Sequence, residues 1–197
     1  MGRAEQTREM IIEKSAILFN KKGVVGTSIS DIIKETKVAK GCLYGHFENK
    51  EVLALAIVDY LIEKITKKAA SLVDSKNTAK EKVGAFIEIF NSPVNNPFID
   101  GGCPILNFGV DSDNTDPAIK KKVRASANLS TKTLESIMKT GIENGEFSSK
   151  LNPAKQALKI MAIMEGAMLL SRVMESDSKM DTLAEMVMSE LELYALN

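Results

Sequence analysis

The chain is poor in the residues that most enzymes depend on. Its 197 residues hold one histidine, His46, and two cysteines, Cys42 and Cys103. No Cys or His cluster has the spacing of a zinc site, and a Ser-His-Asp or Cys-His centre would have to draw on His46, which the local pattern assigns elsewhere. The pair Gly101-Gly102 is not followed by Lys-Ser or Lys-Thr, so no phosphate-cradling loop is present. No metal and no cofactor are expected. Two cysteines in an intracellular chain do not imply a disulfide. No apolar run reaches the roughly 18 residues of a membrane span. The first residues, MGRAEQTREMIIEKSA, lack the apolar core and cleavage site of a signal peptide. A cytoplasmic protein with no membrane partner is expected.

What is present suits a packed helical protein. Hydrophobic residues make up 44% of the chain, enough for a core. The formal charge is zero, but residues 1–50 hold nine Lys or Arg against six Asp or Glu, and the remainder carries the opposite excess. That bias alone has little weight. It matters because the positive part contains the stretch from Thr27 to Lys50, TSISDIIKETKVAKGCLYGHFENK. Ile29, Ile32 and Ile33 recur there at helical spacing, and Thr27 or Ser28 can cap the helix they form. A second short helix, Lys40 to Phe47, puts Leu43 and Phe47 on one face. Lys40, Gly41, Cys42, Tyr44, Gly45 and His46 are left outside. An apolar back with a small, basic and hydroxyl-bearing front suits the DNA major groove, which admits one helix. Lys50, at the start of the next helix, can meet phosphate beside free helix-end N–H groups.

Every segment long enough to read is helical. The first helix runs from about Glu5 to Lys22, with Gly23 as its stop. A long helix starts at the N-cap Asn49 and runs to about Val73. Thr78 to Glu81 is a capping box that opens a helix through Phe86 and Phe90. Residues 92–102 read as a loop. Pro104 suits a first helical position, which makes Cys103 an N-cap. Asp116-Pro117 and Asn152-Pro153 repeat the cap-and-proline signal, and a last helix covers about Ser178 to Leu196. Nothing alternates with period two, so no sheet is expected. The reading is an all-α fold of about nine helices.

These residues resemble a known family. TREMIIEKSAILFNKKG followed by TSISDIIKETKVAKGCLYGHFENKEVL is similar to the DNA-binding domain of the TetR/AcrR transcriptional regulators, in order, spacing and residue type. GGCPILN, after the mid-chain loop, resembles a sequence found in some subgroups of that family. The resemblance implies a three-helix helix-turn-helix domain over residues 1–48, and a helical ligand-binding and dimerisation domain over residues 49–197. It implies that Thr27, Tyr44, His46 and Lys50 bind operator phosphates, and that Lys40, Gly41, Cys42 and Gly45 lie at or near base edges. The chain departs from the family pattern at Lys37 (commonly Gly), Ala39 (commonly a capping Ser), Cys42 and Gly45. Those departures bear on the operator sequence.

The resemblance also supplies an effector pocket between Lys80 and Met174, for which Phe86, Phe90, Cys103, Asn107, Phe108, Met138, Met164, Glu165 and Met168 are the candidates. Ordinary core packing is the plainer reading of each apolar one. Cys103 is either a small, inert residue or a thiolate sensor of electrophiles. The apolar faces of the last two helices are too broad for one monomer, and in the family such helices pair with their copies in a second subunit. The function expected is that of a homodimeric repressor released from double-stranded operator DNA by a small-molecule effector, an electrophile among the candidates. A helical carrier or enzyme with no DNA role is the alternative.

Overall fold

The computed structural model describes residues 2–196. Among them are nine α-helices: α1 (Arg3–Gly26), α2 (Ile29–Thr36), α3 (Lys40–His46), α4 (Lys50–Asp74), α5 (Ala79–Ile87), α6 (Pro104–Ser112), α7 (Pro117–Glu143), α8 (Pro153–Val173) and α9 (Ser178–Glu192). A short 3-10 turn, Glu88–Phe90, follows α5. The described residues form no sheet, only one isolated antiparallel bridge, Phe147 with Ala195. No described helix is long and apolar enough to cross a membrane. The chain divides into two compact units, residues 1–64 with 99–124, and residues 65–98 with 125–197.

The first unit is built on α1. Its stripe of Ile11, Ile12, Ala16 and Phe19 is buried, as are Ile32, Leu43, Phe47, Leu53, Ile57, Leu61, Phe108 and Ile119. The Arg8 guanidinium lies 5.0 Å from the centroid of the Phe47 ring, a cation–π contact. Gly23 stops the first helical run of α1, as its glycine suggests. It breaks the helix at φ 72°, ψ 175°, and one more turn follows to Gly26. Gly23 is required there twice over: its φ favours glycine, and a Cβ would lie 2.8 Å from a carboxylate oxygen of Asp111. Helix α6 packs on α1 within this unit. The loop ahead of α6 carries Gly101 at φ 98°, where a Cβ would meet the Asn20 side-chain nitrogen at 2.9 Å.

The second unit opens with the capping box foreseen at Thr78. Thr78 N–H donates to Glu81 Oε2 at 2.9 Å, and Glu81 N–H donates to Thr78 Oγ1 at 3.2 Å. Gly141, in the last turn of α7, lets Ala79 and the Phe147 ring close on it; an added Cβ would be 2.6 Å from each. Helices α8 and α9 pack side by side. Ile160, Met164, Ala167, Met180, Val187 and Leu191 are buried, and Lys159 pairs with Glu190 at the edge. Asp177, before α9, does not cap that helix. Its carboxylate instead accepts from Ser92 Oγ (2.9 Å), Val94 N–H (2.8 Å), Asn95 N–H (3.3 Å) and Asn95 Nδ2 (2.6 Å). Burial works against its charge, but the bonds from Val94, Ser92 and Asn95 outweigh it and hold the carboxyl below its ordinary range.

Candidate nucleic-acid interface

Helices α2 and α3 are held as a pair by a few local devices. Ser28 is the N-cap of α2, with its Oγ accepting from Asp31 N–H at 3.1 Å and Asp31 Oδ2 accepting from Ser28 N–H at 3.2 Å. The Ser28 bonds, with Lys22 beside them, hold the Asp31 carboxyl below its ordinary pKa. Lys37 ends α2 in the left-handed conformation, φ 60°, and its N–H donates to Ile33 O at 2.9 Å. A side chain in that conformation is strained by about 1 kcal/mol, a cost that glycine avoids. Ala39 precedes α3 without any side-chain cap bond.

Helix α3 has the two faces its sequence predicts. Leu43 and Phe47 are buried. Lys40, Gly41, Tyr44 and Gly45 are exposed, and Cys42 and His46 are half-buried. A Cβ placed on Gly41 or Gly45 would meet no other atom within 4 Å, so both glycines are open at the surface. The outer face of α3 is thus a shallow strip whose tall members are Lys40 and Tyr44.

Two of the expected DNA contacts sit differently. Thr27 is fully buried. Its hydroxyl donates back to Gly23 O at 2.8 Å, satisfying a carbonyl that the last turn of α1 leaves open. Its side chain therefore faces the protein, and the exposed hydroxyls at this helix start belong to Ser28 and Ser30, whose oxygens are 2.8 Å apart. The Ser28-x-x-Asp31 spacing is a capping-box signal, and it identifies Ser28 from sequence. Lys50, half-buried, donates its ammonium to Val24 O at 2.8 Å and to Thr27 O at 3.1 Å. It is an internal brace between the start of α4 and the end of α1, with one N–H left over.

The nine effector candidates are divided between the units. Phe86, Phe90, Met138, Met164 and Met168 are buried in the second unit, with Glu165 half-buried on α8. Cys103, Asn107 and Phe108 belong to the first. Cys103 precedes α6 but makes no side-chain cap bond to it, and Phe108 is buried. The Asn107 amide is committed to Asn20 and Gly101. A shallow groove of about 370 Å³ lies elsewhere, between α5 and α9, lined by Gly84, Ile87, Glu88, Asn91, Ala184, Glu185 and Met188. Among the described residues no group of three or more His, Cys, Asp or Glu side chains is placed to hold a metal.

Comparison with known proteins agrees with this geometry. The family model described as bacterial regulatory proteins, tetR family, matches residues 11–57. The tetracyclin repressor-like C-terminal domain matches residues 79–187. The chain is 22% identical over 187 residues to the HTH-type transcriptional repressor DhaR of Mycobacterium sp. (strain GP1), covering 93% of this chain and 91% of that one. A TetR-family regulator from Cytophaga hutchinsonii is 32% identical with a TM-score of 0.93, over 100% of this chain and 98% of that one. A TetR regulator from Chloroflexus aurantiacus is 35% identical with a TM-score of 0.94, over 99% and 98%.

Proposed function

The chain belongs to the TetR family of bacterial regulatory proteins, DNA-binding and ligand-responsive transcriptional regulators rather than enzymes, and from that premise we propose that it is a cytoplasmic, homodimeric repressor. The observation that carries this is α3, a short helix with Leu43 and Phe47 buried and a small open front. Lys40, Gly41, Cys42 and Gly45 face base edges, and Tyr44, His46 and the remaining N–H of Lys50 take phosphates. Ser28 and Ser30 supply the hydroxyls first sought at Thr27. With so few side chains on the front, DNA shape carries a share of the specificity. The full-length likeness to DhaR, named as a repressor, supports repression over activation.

Dimerisation is supported by the outer face of α8 and α9. Leu158, Leu169, Leu170 and Val173 are exposed on α8, with Met174 just beyond it and Met186 on α9. Ala162 and Gly166 are exposed between them on α8, and a Cβ on Gly166 would meet nothing. A contiguous apolar strip of this kind is rare on a monomer, and its small residues let a second copy approach closely. A two-fold pairing there sets two reading helices on one face of the duplex, about 34 Å or more apart.

In the proposed division of labour residues 1–48 read DNA, and residues 49–197 bind the effector and dimerise. The buried Phe and Met side chains of the second unit form the effector site together with Glu165. Effector and DNA then oppose one another by linkage, each favouring a different state of the dimer. Selection of bound duplexes from a random pool tests the reading. A two-half-site sequence should be enriched, its affinity should fall steeply with salt, and a small-molecule library should contain compounds that release it. No enrichment, or salt-independent binding, would refute it.

A further inference from the structure

Helices α5 and α9 run antiparallel within the second unit. Lys80 pairs with Glu192 at one end. Gly84 meets Met188 in the middle. Beyond α5, Ser92 meets Asp177 just ahead of α9. Between the two helices lies the open groove of about 370 Å³. Its floor is apolar, made by Gly84, Ile87, Ala184 and Met188. Each helix contributes one carboxylate to it, Glu88 from α5 and Glu185 from α9, and no Lys or Arg lines it. Neither carboxylate forms an ion pair with a described residue; the pairs on α9 are made by Glu190 and Glu192.

Three local choices on this face work against the helices that carry it. Gly84 lies in the interior of α5, where glycine is less favourable than alanine. Packing does not demand it, because a Cβ there would sit 3.5 Å from Met188 Cε, an ordinary contact. Glu88 is the C-cap of α5, and no basic residue occupies the last turn, so an anion stands at the negative end of the helix. Asp181 and Glu185, both exposed, are like charges four residues apart and repel along α9. None of the three helps the fold. Each helps a groove that holds a cation. The glycine keeps the floor open, and the carboxylates with the end of the α5 dipole set a negative potential over it. Sequences break local rules of this kind where function requires it.

We propose that this groove binds a small organic cation with an apolar body, a substituted ammonium carrying an aromatic or branched alkyl group. The apolar body lies on Gly84, Ile87 and Ala184, and the unbranched side chain of Met188 adapts to it. The ammonium lies between Glu88 and Glu185. A metal ion is a poorer occupant, since among the described residues no group of three or more His, Cys, Asp or Glu side chains is placed to hold one. The volume is within the range of small-molecule sites, about 300–1,000 Å³. Met186 is two residues from both Ala184 and Met188, so it projects from the opposite side of α9. The groove is therefore separate from the face assigned above to dimerisation. It is separate too from the buried Phe and Met side chains assigned to the effector. The proposal does not rest on the repressor reading, and its test needs no DNA.

The test uses the full-length chain with 13C-methyl methionine, the Met188 signal being identified by its loss in Met188→Leu. Titrated with benzyltrimethylammonium at low salt, the Met188 methyl should shift saturably. Benzyl alcohol keeps the ring without the charge, and tetramethylammonium keeps the charge without the ring. Each should bind on the order of tenfold more weakly. Glu88→Gln/Glu185→Gln replaces two exposed carboxylates and leaves the packing alone; it should weaken benzyltrimethylammonium by a similar factor and remove the salt dependence of its binding. Gly84→Leu should fill the floor and abolish binding. If that variant fails to fold, Gly84→Ala takes its place, with a raised thermal midpoint and weaker binding expected together. No saturable shift at Met188, equal binding of benzyl alcohol, or unchanged affinity in the glutamine pair overturns the proposal. Tighter binding of a tetralysine peptide would make the groove a docking face for a basic protein segment, and overturns it as well. So does a fall in oligomeric mass of the glutamine pair in sedimentation, which would make the groove a contact between copies of the chain.

Discussion

Replacing Lys50 by Met separates two roles that one ammonium performs. Inside the protein it donates to Val24 O and Thr27 O at 2.8 and 3.1 Å. Hydrogen bonds from a charged donor contribute about 1.5–3 kcal/mol each when buried. Lys50 is only half-buried, so water recovers part of that when the ammonium goes, and the Met stem keeps the packing of the lysine stem. The net loss should be about 1–2 kcal/mol, or a fall in melting temperature of about 3–6 °C for a chain of this size. Protein concentration must be held fixed, since dimerisation adds to apparent stability. The second role is read separately. If the third N–H meets a phosphate in each half-site, Lys50→Met should lower the slope of log affinity against log salt by about 2 for the dimer. Urea titration at fixed concentration and operator binding by anisotropy from 50 to about 200 mM salt measure the two. A full fall in stability with an unchanged salt slope would show that Lys50 is a brace only. No fall in stability would refute the account of the α1–α4 joint.

Other predictions follow from particular contacts. Gly141→Ala should destabilise the protein by about 1–3 kcal/mol by overpacking, because its methyl would be 2.6 Å from Ala79 and Phe147; an unchanged thermal midpoint would contradict that packing. Asp177 is held as the anion by Ser92, Val94 and Asn95 despite burial, so its folded pKa lies below its ordinary 3.8. Between those two values the unfolded chain binds more protons than the folded one, so this stabilisation is complete above the ordinary value and is lost as pH falls below it. Asp177→Ala should therefore flatten the fall in urea midpoint on acidification below about pH 4, and an identical acid profile would rule out the clasp. Leu158→Glu with Leu169→Glu should yield monomers at micromolar concentration in sedimentation, with operator binding lost and helicity retained; a dimer of unchanged stability would move the interface elsewhere.

Local signals in the sequence foretold most of the helices. Thr78, Asn152 and the Pro residues at 104, 117 and 153 mark helix starts through chemistry that acts within a turn, and the structure begins helices there. The two faces of α3 were legible for the same reason: one buried pair, Leu43 and Phe47, fixes the orientation of the rest. What escaped the sequence was set by distant partners. Gly23 reads as a stop and leaves helical geometry, but nothing local says that Asn107 and Asp111 of α6 will partner Asn20 O and the Val24 N–H on either side of it. Asn107 reads as a polar candidate for the effector pocket, and only the return of residues 99–112 to α1 shows where its amide goes. Thr27 and Lys50 carry the right chemistry for phosphate, yet the open carbonyls at the end of α1 claim the hydroxyl and two of the ammonium protons. A spacing rule finds groups that need partners more readily than it finds the partners.

The openness of Gly41 and Gly45 has a consequence for how this protein can change. Where a change to a binding surface disturbs the packing beneath it, the new specificity has to be repaired elsewhere. Here a Cβ can be added at either position with nothing within 4 Å beyond the helix's own backbone. Each replacement of glycine within α3 should also favour the helix by roughly 1 kcal/mol. New base contacts can therefore be acquired one substitution at a time while the fold becomes more stable. A duplicated copy of this chain could move to a different operator along a path with no unstable intermediates, and a designer could follow the same path by randomising two codons.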